Sequence, residues 1–197
     1  MVRMAAQKRV VSIETRNRIL IWQAVLKTGY EAMLADDLIW QWLVERIQDN
    51  NSSVNYAIGN LQSTVYVPAA AHSAVQVEAV ILFYQVFADG KAGPGIAGNH
   101  DPEVVTLRNE MVAFAKATLG WDDAKYDGIM NSIKDRRHKL TAHYDGGAAE
   151  FDEPIPGVVQ RMRMPGVNFP MNQERTDFIS LIRVTYEFVQ TDLLPSF

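Results

Sequence analysis

The chain has 197 residues, 48% of them hydrophobic and 21% charged, with a net charge of −4 and no cysteine. That length suits one domain spanning 1–197, large enough to bury roughly 70% of its unfolded surface, and the composition is that of a soluble globular protein. The missing cysteine excludes disulfides, thiolate nucleophiles and cysteine metal sites and fits a reducing, cytoplasmic setting, while the acidic balance excludes a general nucleic-acid-coating role.

The first ten residues are basic but precede no long apolar core, so they do not read as a secretory signal. The apolar-rich run Ile19–Leu26 is far too short to span a membrane. Ser12 is placed to cap a helix starting near Ile13, with Glu14 in its first turn. Thr28-Gly29-Tyr30 reads as a kink or break, after which Glu31–Gln48 resumes the helical rhythm. Asp36 and Asp37 are adjacent, share no helical face and read as solvated. Residues 50–53 form a turn or cap and Val54–Leu61 is weakly helical. Thr64-Val65-Tyr66-Val67 before Pro68 reads as an extended connector. Ala69–Phe87 is apolar on nearly every side, as a central helix buried between neighbours would be, and His72 near its start reads as structural.

Residues 88–100 hold four glycines and a proline and read as a mobile loop; no strand precedes them and neither nucleotide-binding glycine pattern is matched. Asp101-Pro102-Glu103 is a strong helix start, with Gly120 as its terminator. Asp122 can cap the next helix, which Gly146-Gly147 stop. From Ala148 to Met171 proline and glycine abound without a clean period, which allows a short hairpin around Pro165-Gly166; Arg161 and Arg163 are by default solvated there. Asn172 opens an amphipathic helix through Leu193. Together these elements predict an all-α, up-and-down bundle of five to six helices.

The chemistry concentrates in Ile129–Gly147, IMNSIKDRRHKLTAHYDGG. Its apolar stripe is Tyr126, Ile129, Met130, Ile133, Leu140 and Tyr144, which puts Arg137 mid-stripe and Arg136 to one side. A guanidinium on such a stripe is costly unless it is paired or opens onto a cleft or interface. Arg136 and His143 share a face with a rise of roughly 10 Å, whereas Arg137 and His143 are offset by about 120°, so both arginines are candidates on geometry alone. Lys134, Arg136, Arg137 and Lys139 outweigh Asp135, a local concentration of charge able to hold a phosphate backbone.

The run Arg137-His138-Lys139-Leu140-Thr141-Ala142-His143 resembles the R-x(4–6)-H motif of the HEPN superfamily, and Ala142-His143-Tyr144-Asp145 is similar to the ending common in its abortive-infection-like branch. The resemblance is sharp over about twenty residues and architectural elsewhere. It implies a HEPN-like fold and a metal-independent endoribonuclease, with Arg137 and His143 catalytic and Arg136, His138 and Lys139 contacting substrate. It also implies a homodimer with a composite cleft, RNA as substrate, a toxin or phage-defence role with an antitoxin partner, and no cofactor. RNA cleavage suits this limited hardware. The 2′-hydroxyl is a tethered nucleophile, an imidazole can move its proton, and a guanidinium can stabilise the phosphate's extra charge. His138 and His143 are five apart, not the four that would pair two imidazoles for zinc on one helical face. Two other readings compete: a non-catalytic HEPN-like dimer that binds or regulates, and an unrelated helical structural protein.

Overall fold

The computed structural model describes residues 8–49, 63–88, 93–144, 150–151, 162–163, 169 and 172–197 and is all-helical in character. Its helices are α1 (Ile13–Asp49), α2 (Ser63–Gln85), α3 (Pro102–Leu119), α4 (Asp123–Tyr144) and α5 (Gln173–Phe188). The only sheet among the described residues joins β1 (Glu150–Phe151) to β2 (Met162–Arg163), antiparallel, with Glu150 opposite Arg163. Pro165-Gly166, around which the sequence allows a hairpin, lie outside the described residues.

α1 runs unbroken through Thr28-Gly29-Tyr30. The expected kink is absent because α2 packs against α1 at Gly29 and again at Asp36 and Trp40, outweighing the ~1 kcal/mol that a helical glycine costs. A Cβ on Gly29 would lie 3.6 Å from the Ala79 carbonyl oxygen and 3.7 Å from Leu82 Cβ, so the backbones approach closely there. At its start, the Ser12 hydroxyl accepts the Thr15 N–H at 3.1 Å, as a cap should. α2 begins at Ser63, so Thr64 to Pro68 are helical and not an extended connector. Their β-propensity, a matter of about 1 kcal/mol, yields to context. Nor is α2 buried all round: Ala79, Val80 and Phe83 face the core while Ile81 is 41% exposed.

The glycine-rich segment is tied down over 93–100. The Ala97 N–H donates to the Glu14 carbonyl at 3.1 Å, Arg18 Nε to the Ala97 carbonyl at 2.6 Å, and Asn99 Nδ2 to the Gln85 carbonyl at 2.9 Å. The expected mobility of this part gives way to anchoring on α1 and α2. α3 follows the sequence closely. Asp101 accepts the Glu103 N–H at 3.0 Å, Pro102 opens the helix, and Gly120 closes it at φ +66°, a left-handed conformation that side chains resist. Asn172 caps α5 by accepting the Glu174 and Arg175 N–H groups, and α5 continues into a π-helical turn (Val189–Leu193) and a 3₁₀ turn (Leu194–Ser196).

The core joins all five helices around Trp22, Phe83, Met111, Ile133, Phe178 and Leu181. Phe178 lies between the Phe83 ring, edge-on at 5.5 Å, and the Phe169 ring, stacked at 4.6 Å. That aromatic column forms the floor beneath the charged residues of α4.

Candidate functional site

α4 begins as its sequence dictates, with the Asp122 carboxylate accepting the Lys125 N–H at 2.8 Å, and continues to Tyr144, so the whole motif from Arg137 to His143 lies on one helix. Its buried face is Tyr126, Ile129, Ile133 and Arg136, spaced three, four and three. Arg136, only 8% exposed, therefore occupies the core-facing position expected for Arg137, which is half-buried. The reason is angular. At about 100° per residue, the burial centred on Ile129 and Ile133 places the two arginines on opposite flanks, and the packing of α5 favours the Arg136 side.

Arg136 donates through Nη2 to Glu174 Oε1 at 3.0 Å and lays its guanidinium over the Phe169 ring, 4.0 Å from the centroid. Ser132 Oγ donates to the same Glu174 oxygen. Farther down α4, Lys125 pairs with Asp177, which also accepts from Gln173 Nε2 at 2.8 Å. These contacts fasten α4 to α5. Burial opposes ionisation of Glu174, but the Ser132 hydroxyl and the Arg136 guanidinium outweigh it and hold the carboxyl below its ordinary range. A depressed folded-state pKa contributes stability above the unfolded-state value, and that contribution is lost as pH falls through the folded-state value. Glu174→Gln should thus lower the melting temperature near neutrality, and the difference from wild type should shrink as pH falls below the ordinary glutamate range, as read by thermal melts.

Arg137 places its guanidinium over the Tyr84 ring at 5.0 Å, toward α2. His138 and Lys139 are exposed. His143 is helical in backbone, and its side chain lies outside the described residues. The structure thus separates the two arginines: Arg136 is built into the α4–α5 seam, Arg137 lies half-buried over Tyr84 on the α2 side, and His138 and Lys139 are exposed. Arg161 is outside the described residues, and the Arg163 backbone belongs to β2. Among the described residues no group of three or more His, Asp or Glu side chains could hold a metal ion.

A second polar cluster escaped the sequence reading. Asp36, taken as solvated, is fully buried on α1. Its Oδ2 accepts Arg175 Nε at 2.9 Å, Arg175 Nη2, and Gln76 Nε2 at 3.0 Å. Its Oδ1 faces His72 Nδ1 at 2.5 Å. Arg175 also reaches Asp37 Oδ1 at 2.5 Å, and the Trp40 ring braces His72 at 5.4 Å. Gln76 Oε1 accepts the Phe169 N–H at 2.7 Å, linking this cluster to the residue under Arg136. His72 is thus structurally partnered, as expected, but by a carboxylate that the sequence had placed in water. A signal was present: Ile19, Trp22, Leu26, Gly29, Met33 and Asp36 follow one another at alternating spacings of three and four, so Asp36 continues the buried line of α1.

Comparison with known proteins returns no matching family model, curated protein or solved structure.

Proposed function

We propose that the protein is a metal-independent endoribonuclease with a HEPN-like helical bundle, acting as a homodimer and serving as a toxin or phage-defence effector under the control of an antitoxin. The observation that carries this reading is the unbroken course of α4 to Tyr144, which delivers Arg137, His138 and Lys139 at accessible positions one to two turns before His143. Arg137 is the phosphate-holding group in this reading, because Arg136 is engaged with Glu174 and Phe169. His143 moves the proton, and His138 and Lys139 contact the substrate backbone. Lys134, Arg136, Arg137 and Lys139 outnumber Asp135 over residues 134–139, a local concentration of positive charge that favours a polyanion.

The chemistry needs only these groups. Attack of the 2′-hydroxyl on the adjacent phosphorus yields 2′,3′-cyclic phosphate and 5′-hydroxyl ends, and two copies of the motif across a two-fold axis supply base and acid together. The decisive experiment incubates purified protein with total RNA in EDTA, comparing wild type with His143→Ala and analysing the product ends. Cleavage by wild type alone, leaving cyclic phosphates, is the expected result. RNA binding without cleavage by either protein would instead identify a regulatory or binding dimer. A monomer indifferent to RNA would remove the proposal altogether.

A further inference from the structure

A second apolar stripe runs along the back of α1. About half a turn from the buried line of Trp22, Leu26, Met33 and Asp36, the outer face carries Leu20, Ala24, Lys27, Glu31, Leu34 and Leu38, every one of them exposed. Leu38 is 67% exposed, and Ile13, one heptad before Leu20, continues the line at 61%. A single exposed leucine means little, but these six positions recur at spacings of four, three, four, three and four. That is a repeat of 3.5 residues, the period of a coiled-coil seam. Ile13, Leu20, Lys27 and Leu34 form one heptad series, and Ala24, Glu31 and Leu38 form the other. α2 meets α1 at Gly29 and α5 meets it at Asp36, both on the buried line, which leaves the stripe outward.

The charges in the middle of the stripe decide what fits it. Lys27 and Glu31 lie 3.7 Å apart, with side chains more than half exposed. A purely apolar partner would press on both. A second copy laid antiparallel, with its two-fold axis at the level of Gly29, answers both. Residues equally far from Gly29 on opposite sides then meet: Leu20 the partner's Leu38, Ala24 the partner's Leu34, and Lys27 the partner's Glu31. By symmetry each layer occurs twice, four apolar and two ionic, and each draws one residue from either heptad series. Other registers fail. Sliding by one heptad sets Glu31 against the partner's Leu20 or Leu34, and sliding by two carries Leu20 or Leu38 past the end of α1. Parallel pairing in register sets Lys27 against the partner's Lys27.

We propose that this face of α1 joins two copies of the chain as an antiparallel α1–α1 pair about Gly29. The pairing depends on α1 alone, so it goes beyond the RNA-cleaving reading and holds whether or not the protein cleaves RNA.

Sedimentation equilibrium of the full chain across micromolar concentrations reads the association. Wild type should be a dimer. Leu38→Glu should keep its helical circular dichroism while the dissociation constant rises by about 10²-fold, because the exposed position bears on the partner and not on the core. Lys27→Glu and Glu31→Lys should each be monomeric alone, with like charges facing across the axis, and should form a mixed dimer when combined. A contact within one chain cannot give that recovery. The chain has no cysteine, so Leu20→Cys and Leu38→Cys carry one thiol each. A short bismaleimide should join the two variants when mixed and neither alone, since like positions lie about 27 Å apart along the seam. A dimer that survives Leu38→Glu, without recovery in the charge mixture, overturns the inference and leaves a homodimer through another face. Cross-linking of Leu20→Cys alone overturns the antiparallel register. A wild-type monomer at every concentration removes both this pairing and the homodimer of the ribonuclease reading.

Discussion

Arg175→Met should destabilise the fold by about 3–5 kcal/mol, the cost of leaving a buried charge without its partner. Asp36 has no exposed surface, and Arg175 supplies two of the donors on its Oδ2 while also reaching Asp37. With methionine at 175, the Asp36 carboxylate keeps only Gln76 and His72 beside it. At about 2–4 °C per kcal/mol for a chain of this size, the melting temperature should fall by roughly 6–20 °C. Adding Asp36→Leu should recover much of the loss, since an apolar pair of similar volume fills the site without a buried charge. Thermal melts of the two single variants and the double variant give the coupling directly. A single Arg175→Met variant that melts like wild type would show that these groups do not form the network.

The second large effect separates the two adjacent arginines. Arg137→Ala should lower RNA cleavage by about 10²–10³-fold, the loss expected when a donor to developing phosphate charge is removed. Its melting temperature should barely change, because the side chain is half-exposed and its contact with Tyr84 lies at the rim of the core. Arg137→Lys should restore only part of the rate, since an ammonium cannot grip two phosphate oxygens as a planar fork does. Arg136→Ala should do the opposite. It strips Glu174 and the Phe169 face of their cation and should cost about 1–3 kcal/mol of stability. Parallel cleavage assays and melts on the two alanine variants settle the division. Were Arg136→Ala the inactive, stably folded variant, the phosphate role would belong to Arg136.

Much of the architecture was legible because the caps are local chemistry. Asp101-Pro102, Gly120, Asp122 and Asn172 each mark a helix end through a hydrogen bond or a backbone angle that the residue itself supplies. What escaped was decided by tertiary partners. Thr64 to Val67 carry β-branched residues yet lie in α2, and Gly29 sits in mid-helix because α2 covers it. The buried charged residues are hard to read from sequence for one shared reason. Asp36, Arg136 and Arg175 all fall on the buried line of their helices, Arg175 three residues before Phe178 just as Asp36 lies three after Met33. Adjacency of Asp36 and Asp37 suggested solvent, whereas the spacing already pointed inward; only the facing helix could reveal the counter-charge. The motif on α4 was legible as a helix, but which of Arg136 and Arg137, about 100° apart, turns inward was not, because that depends on where α5 packs.

Phe169 adds a constraint on how this chain can change in length. Its amide is held by Gln76, its ring is wedged between Phe178 and Arg136, and Asn172 caps the next helix only three residues later. The connection out of α4 is thus sewn down just ahead of α5. Added or deleted residues between 169 and 172 would pull the ring from its slot or the cap from its helix.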